Sequence, residues 1–339
     1  MNNPVRIIGG GLAGLSLAHA LAVRGVAVRV DEAGAYPRHR VCGEFMAGVR
    51  DETIETLGLE PVLSDALRHL EVAWYWRGVP MWRGELPRAA LGLSRHCMDG
   101  RIAERLKAAG GELVERSRVP IEAPGAGEVL ASGRRIGKPG WIGLKMHARR
   151  LPTEADLELH LSPGGYVGLA RIEDGRCNVC GLFRAGRLAS GGRVDAFLAQ
   201  LRHAGLGALA WRVAGADPDP ESFAAVSHLH FETRPDPGAS LRLGDAYAVI
   251  PPFTGNGMTL ALESAETVLP AVLDYACGRA DWSSTVARSN QMLAARFGLR
   301  LRVAGALQPL LLSRHGFEAL AILARSGLLP FRFLYSLTH

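Results

Sequence analysis

One motif near the N-terminus constrains this chain more than any other feature. Gly9, Gly11 and Gly14 form G-x-G-x-x-G between the apolar run Val5-Arg-Ile-Ile8 and an Ala/Leu-rich segment opened by Leu12 and Ala13. The first glycine permits a tight turn, the second lets the backbone approach a diphosphate, and the third lets a helix pack closely on a strand. A diphosphate held there lies at a helix N-terminus, where amides without helical partners and the macrodipole favour negative charge. Val26, Val28 and Val30 predict the next strand, which puts Glu32 at its C-terminal end, placed to accept from ribose hydroxyls. The expectation is a Rossmann-like α/β layer that binds a dinucleotide.

At 339 residues, with 48% hydrophobic and 21% charged residues, the chain suits a globular protein of about two domains. Its N-terminus runs straight into the first strand, so no signal peptide is expected, and no apolar run reaches the roughly 18 residues of a membrane span, so no transmembrane helix is expected. Five cysteines, an odd number, fit a reducing cytoplasm. Cys177 and Cys180 stand as C-x-x-C, but residues i and i+3 of a strand face opposite sides, so no metal site is expected. The net charge of +6 resides in the tail, where residues 282–339 carry seven arginines and one glutamate among Leu and Phe. Such a tail either covers the core as a helical hairpin or rests on an anionic bilayer as a peripheral membrane contact. Its basic residues alternate with aliphatics and no recognition motif accompanies them, so nucleic acid is not an expected partner.

Periodicity and turn residues organise the rest. Short helices are expected over 51–57 and 62–67, then a strand from Glu71 to Trp82 turning at Arg77-Gly78. Ser94 opens a helix to Ala109 that Gly110-Gly111 stops, and residues 111–133 leave room for two strands and a loop. Strands over 141–147, 156–161, 166–172 and 178–183 precede a helix over 194–204, a Pro/Asp loop over 216–220 and a strand over 226–231. Leu241 to Asp245 returns to the parallel style, residues 257–275 are helical, and the remainder is helical. The nucleotide domain is therefore discontinuous, over 1–70, 91–140 and 233–281. An antiparallel substrate domain is inserted over 71–90 and 141–232, and 282–339 form a helical cover.

Three further segments narrow the reading: Pro37-Arg-His-Arg-Val-Cys-Gly-Glu44, Ser94-Arg95 with Asp99, and Gly244-Asp245 running on to Gly255-Asn256-Gly257-Met258. With the glycine motif they resemble FAD-dependent oxidoreductases of the para-hydroxybenzoate hydroxylase superfamily, most closely the geranylgeranyl reductase branch, over most of residues 1 to 260. The resemblance implies FAD as cofactor. It places Arg40 and Arg95 along the cofactor, Asp245 on a ribityl hydroxyl, and the amides of Gly255 to Met258 at the flavin N1 and C2 carbonyl, where charge collects on reduction. It also places Cys42-Gly43 beside flavin and substrate. NAD(P)H is the implied reductant, although Ser132 stands where related hydroxylases carry an Asp. Of the prenyl-reductase pattern P-x-x-Y-x-W-x-F-P, Pro163-Gly-Gly-Tyr166 is kept, while Gly168, Ala170 and Arg171 replace Trp, Phe and Pro.

Trp74 and Trp76 share one strand face, and with Tyr166 they are candidates to line a pocket for an aromatic or polyene substrate; half-buried sheet aromatics explain them equally well. Lys145 and His147 share another face and are placed to orient a polar headgroup or phenol. Cys42 and His147 are the candidate catalytic side chains. The expected function is an FAD-dependent oxidoreductase acting on an aromatic lipid, polyketide or isoprenoid, by double-bond reduction or by hydroxylation. The alternative is a flavoprotein without turnover, an electron carrier or partner-binding subunit.

Overall fold

The glycine loop joins two of the most apolar segments of the chain, and both are buried. In the computed structural model, which describes residues 3–121, 124–134, 140–184, 191–229, 240–250, 255–311, 314–326 and 331–338, β1 (Val5–Ile8) leads into α1 (Leu12–Ala22) and β2 (Val28–Glu32). β1 and β2 pair in parallel with Val5 opposite Val28. Every residue of α1 is buried, as expected of a helix that is apolar all round.

β3 (Phe45–Met46) and α2 (Asp51–Leu57) follow, then the hairpin β4 (Leu67–Trp76) and β5 (Val79–Gly92). At the turn Arg77 and Gly78 have φ of 51° and 82°, the paired left-handed conformation of a two-residue hairpin loop. The helix expected over 62–67 does not form. The stretch runs in turns after Pro61, and β4 starts at Leu67, four residues before the expected boundary. A six-residue segment cannot recover the cost of helix nucleation without a packed face.

α3 (Arg95–Ala108) is capped by the Ser94 hydroxyl, which accepts from the Cys97 amide at 3.1 Å. Then come β6 (Glu112–Glu115), β7 (Glu128–Leu130), β8 (Trp141–Arg149), β9 (Leu157–Ser162), β10 (Gly165–Ile172) and β11 (Arg176–Arg184). They are followed by α4 (Arg193–His203), α5 (Gly207–Ala214), β12 (Asp217–Val226), β13 (Leu241–Arg242), α6 (Gly257–Ala276), α7 (Trp282–Leu311), α8 (Arg314–Arg325) and α9 (Phe331–Thr338).

Two sheets result. The first has the order β13-β7-β1-β2-β6, with every pair parallel. The second has the order β12-β8-β11-β10-β9-β4-β5-β3 and is antiparallel except for β4 beside β9. That parallel pair joins strands separated by α3 and two strands of the first sheet, so no tight turn dictates their direction. The fold is thus a Rossmann-like layer interrupted by a large mixed sheet and closed by C-terminal helices.

β12 occupies the segment expected to be a Pro/Asp loop. It is an edge strand with a bulge between Asp219 and Ala224, a position that tolerates proline because one side donates no ladder bonds. It ends at Val226, where the next strand was expected to begin, and residues 230 and 231 of that expectation lie outside the described ones.

Alternation divides the second sheet. Leu144, Met146, Ala148, Cys177 and Val179 pack against Phe197, Leu201 and Leu209 of α4 and α5. The intervening residues, among them Lys145, His147 and Asn178, face the nucleotide layer. α7 lies along α6 through ion pairs, Arg288 to Asp274 at 2.8 Å, Arg296 to Glu266 at 2.8 Å and Arg300 to Glu263 at 2.7 Å.

Candidate functional site

The glycines of the N-terminal motif divide by what surrounds them. A Cβ on Gly9, where φ is +109°, would lie 2.3 Å from the Ala131 carbonyl oxygen, and one on Gly14 would lie 2.1 Å from the Gly9 oxygen. These two serve packing. Around Gly11 the nearest atom to such a Cβ is 3.9 Å away, and around Gly257 nothing lies within 4 Å. Gly11 caps α1 and Gly257 opens α6, and neither helix start has a side-chain cap. Two helix N-termini thus present amides to open space. Leu12, Ala13 and Met258 turn their side chains into the core, so only their backbones can serve a ligand. Gly255 has φ +69° and lets the Phe45 ring approach; its Cβ would lie 2.4 Å from that ring. Asn256, wholly buried, is the N-cap residue of α6.

Glu32 is buried at the end of β2. One oxygen accepts from the Gly34 amide at 2.8 Å and from Arg38, the other from the Gly10 amide at 2.8 Å. Each carboxylate oxygen accepts about twice, so the oxygen bound to Gly10 retains capacity for a ribose hydroxyl. Tyr36 donates to the Gly10 carbonyl. The buried Asp99 carboxylate holds Arg95 through two bonds of 2.7 Å and Arg40 through one of 3.1 Å; Arg40 also donates to the Gly10 carbonyl at 3.2 Å. Both arginines are thereby fixed beside the glycine loop.

Gly244, with φ +54°, sits against the first turn of α1: its Cβ would lie 3.1 Å from the Ala13 Cβ. Its neighbour Asp245 is solvent-accessible, yet enclosed by enough protein that burial raises its carboxyl, with Arg134 and Arg95 pulling the other way. A group with both properties lines a crevice, not an outer surface.

Beyond Arg40 the chain presses on the second sheet. Glu44 is wholly buried at φ +58°, and its carboxylate meets Lys145 at 3.1 Å, His147 at 2.6 Å and the Arg95 amide at 3.0 Å. Burial by itself would raise this carboxyl, but His147 and Lys145 outweigh it and hold it below its usual value. Lys145 also donates to His39 Nδ1 at 3.0 Å, and burial together with that ammonium pushes His39 down to about 4. His147 is wholly buried, so its imidazole clamps Glu44 and does not face an open substrate surface. Cys42 precedes this clamp; its carbonyl accepts from Asn178 Nδ2 at 2.9 Å. Burial pushes the Cys42 thiol up, with Arg95 opposing, and the thiol is not prepared as a nucleophile.

Trp74 and Trp76 come together with Tyr166 in one apolar cluster that also takes in Leu161, Leu182, Ala324 and Phe331. Trp82 lies tilted against Trp74 and Phe331 with ring centroids 5.1 and 4.5 Å away, so α9 caps the tryptophans. Registers then define a row across the sheet: Trp82, Trp74, Leu159, Gly168, Cys180, Lys145. Gly168 and Cys180 are half-exposed in mid-sheet while Val167, Leu169 and Val179, on the opposite face, are buried. Between the tryptophan end and the clamp, Gly168 and Cys180 thus keep partial exposure on this face of the sheet.

Sequence reasoning missed Glu44, His39 and Asn178 as parts of this arrangement. A signal existed: Lys145 alternates with apolar residues on a strand, and a buried ammonium requires an acid. Glu44 was the acid within the matched Cys-Gly segment.

No family model matches this chain, and no curated protein does. Among solved structures the chain resembles PqsL of Pseudomonas aeruginosa, crystallised with 2-aminobenzoylacetate, at a TM-score of 0.71 and 18% identity over 93% of this chain and 98% of that one. It also resembles the flavin-dependent brominase Bmp2, at 0.72 and 15% over 100% and 94% of the two chains. The flavin-dependent halogenase CmlS matches at 0.63 and 18% over 89% and 64%. The fold is that of flavin-dependent monooxygenases and halogenases.

Proposed function

We propose that this chain is an FAD-dependent oxidoreductase performing hydroxylation-type chemistry on a hydrophobic, aromatic small molecule. The observation that carries the reading is the pair of open, uncapped helix N-termini at Gly11 and Gly257, with Gly244, the neighbour of Asp245, packed against the first of them. In this reading the α1 amides hold the diphosphate, Glu32 the ribose, Arg40 and Arg95 line the cofactor, and Asp245 accepts from the ribityl chain. The amides from Gly255 to Met258 stabilise negative charge on the reduced ring. A bound flavin supplies hydride transfer and reaction with oxygen; the protein supplies orientation and exclusion of water. Cys42 lines the site, His147 and Lys145 keep the Cys42 to Glu44 segment against the sheet, and the substrate lies over Gly168 and Cys180 toward Trp74, Trp76 and Tyr166. An aromatic substrate is supported by that tryptophan end and by the ligand crystallised with PqsL. Hydroxylation is preferred to prenyl reduction because the similar structures are of flavin-dependent monooxygenases and halogenases and because Gly168 and Ala170 replace the aromatics of the reductase pattern.

Purified protein is expected to carry FAD non-covalently. Asp245→Ala removes a hydrogen bond to a charged group worth about 1.5–3 kcal/mol, so FAD affinity measured by fluorescence titration falls roughly tenfold to a hundredfold. Unchanged affinity removes Asp245 from the cofactor. Anaerobic reduction with NAD(P)H, followed by admission of oxygen while the flavin spectrum is recorded, separates a monooxygenase from a reductase and tests the reductant.

For the tail we propose peripheral contact with anionic lipid. No helix among the described residues is long and apolar enough to cross a membrane. Arg288, Arg296 and Arg300 are neutralised on α6, but Ile322 and Phe333 are 68% and 61% exposed, with Arg302 and Arg332 exposed as well. Each near-surface basic residue adds about 1 kcal/mol on acidic lipid. The protein is expected to sediment with phosphatidylserine vesicles at low salt and to be released at high salt. Protein left in the supernatant at low salt makes the tail a cover for the core alone.

A further inference from the structure

At the end of the second sheet where β4 begins, β8 and β10 finish and β11 starts, a cavity of about 430 Å³ opens, and no residue of the candidate flavin site lines it. Its volume falls within the roughly 300–1,000 Å³ of small-molecule sites. Arg68, Arg150, Arg171 and Arg176 surround it, and Leu151 and Ile172 supply apolar wall. Three of these guanidinium groups are held by carboxylates: Arg171 by Asp156, Arg176 by Glu173 at 3.0 Å and by the exposed Asp174, which also lines the cavity, at 2.9 Å, and Arg150 more loosely by Asp217 at 3.6 Å. Each of these contacts uses Nη2, which orients the group and leaves Nη1 to donate elsewhere. Arg68 is exposed and has no carboxylate partner among the described residues.

His69 also lines the cavity and is 1% exposed. Its Nε2 lies 2.8 Å from the Arg171 carbonyl oxygen, which can only accept, so Nε2 carries the hydrogen and Nδ1 is a bare acceptor. Burial and the Arg171 charge push this imidazole down to about 4, which keeps it neutral at physiological pH. The Nε2 edge is turned to Gly92 and the Arg171 carbonyl, while buried Nδ1 has no partner. An unmatched buried acceptor is costly unless something donates to it.

We propose that this cavity is a second ligand site, for a small organic oxyanion that also carries an O–H donor, a hydroxylated carboxylate or phosphate ester. The guanidinium groups take the anionic oxygens and His69 Nδ1 takes the hydroxyl hydrogen. The site is linked to the nucleotide layer through Glu173, which holds Arg176 and also accepts from the Ser94 amide at 2.8 Å, at the cap of the helix that carries Arg95. The proposal does not depend on the flavin reading.

Inorganic phosphate is the probe, because hydrogen phosphate carries both features whereas sulfate at neutral pH has no hydrogen to donate. Calorimetric titration at pH 6.5 and constant ionic strength, on protein saturated with FAD, should give saturable binding at least fivefold tighter for phosphate than for sulfate. The double variant Arg68→Ala/Arg150→Ala alters exposed side chains that the fold does not need, and should weaken phosphate binding at least tenfold. His69→Phe should lose the preference for phosphate over sulfate. Absence of saturable binding, equal affinity for the two anions, or undiminished binding in the arginine variant overturns the proposal.

Discussion

Glu44→Ala should destabilise the protein by about 3–5 kcal/mol, the usual consequence of removing one partner from a buried charge pair. Lys145 and His147 are both wholly buried, and this carboxylate is the acid that each of them meets. Its loss leaves an ammonium in a low-dielectric interior beside an imidazole that has lost its acceptor. The Arg95 amide loses its acceptor too. The denaturation midpoint in urea measures the effect, and Glu44→Gln/Lys145→Met, which removes both charges while keeping volume, should recover much of it. Glu44→Gly relieves the left-handed backbone at φ +58° without restoring the carboxylate, so it should fall between alanine and the parent. Because the folded Glu44 pKa is depressed, its stabilisation is present above the ordinary carboxylate value and is lost as pH falls through the folded one. The variant should therefore lose part of the acid limb of the stability curve. A destabilisation below about 1 kcal/mol would mean that water already satisfies Lys145 and His147, and the clamp would have no structural weight.

Two glycines of one motif should fail in different ways. Gly14→Val places a Cβ 2.1 Å from the Gly9 carbonyl oxygen, 3.0 Å from the Ala131 Cβ and 3.2 Å from the Ile7 Cγ2, with backbone and core on every side. Nothing there can swing away, so helix and strand must separate. The destabilisation should reach or exceed the roughly 1–3 kcal/mol of an overpacked core, and little folded protein should be recovered. Gly11→Val meets no atom nearer than 3.9 Å at its Cβ and should fold with an unchanged circular-dichroism spectrum. Its added methyls occupy the space over the α1 amides, and FAD content should fall at least tenfold. An FAD-replete Gly11→Val protein would place the diphosphate elsewhere.

The sequence by itself determined the elements whose cause is local. The glycine spacing, the Ser94 cap and the Arg77-Gly78 turn each act within a few residues, through steric allowance or a bond to a nearby amide. They are legible because the constraint and the residue that meets it stand together. The strand alternation that sorts Leu144, Met146 and Ala148 from Lys145 and His147 is equally local, since it follows from the pleat. It could say that the last two share a face, but not what they face.

Tertiary structure alone decided the partners. His147 meets Glu44 across 103 positions of chain, and that pairing converts a candidate for substrate contact into an anchor. Arg296 and Arg300, read in the tail as free positive charge, are neutralised by Glu266 and Glu263 of α6. Asp217 to Pro220 became strand because the segment lies at a sheet edge, where proline is tolerated; its composition alone marks a loop. In each case the deciding energy is desolvation or pairing between groups that meet only after the chain has folded, and no window along the sequence contains both of them.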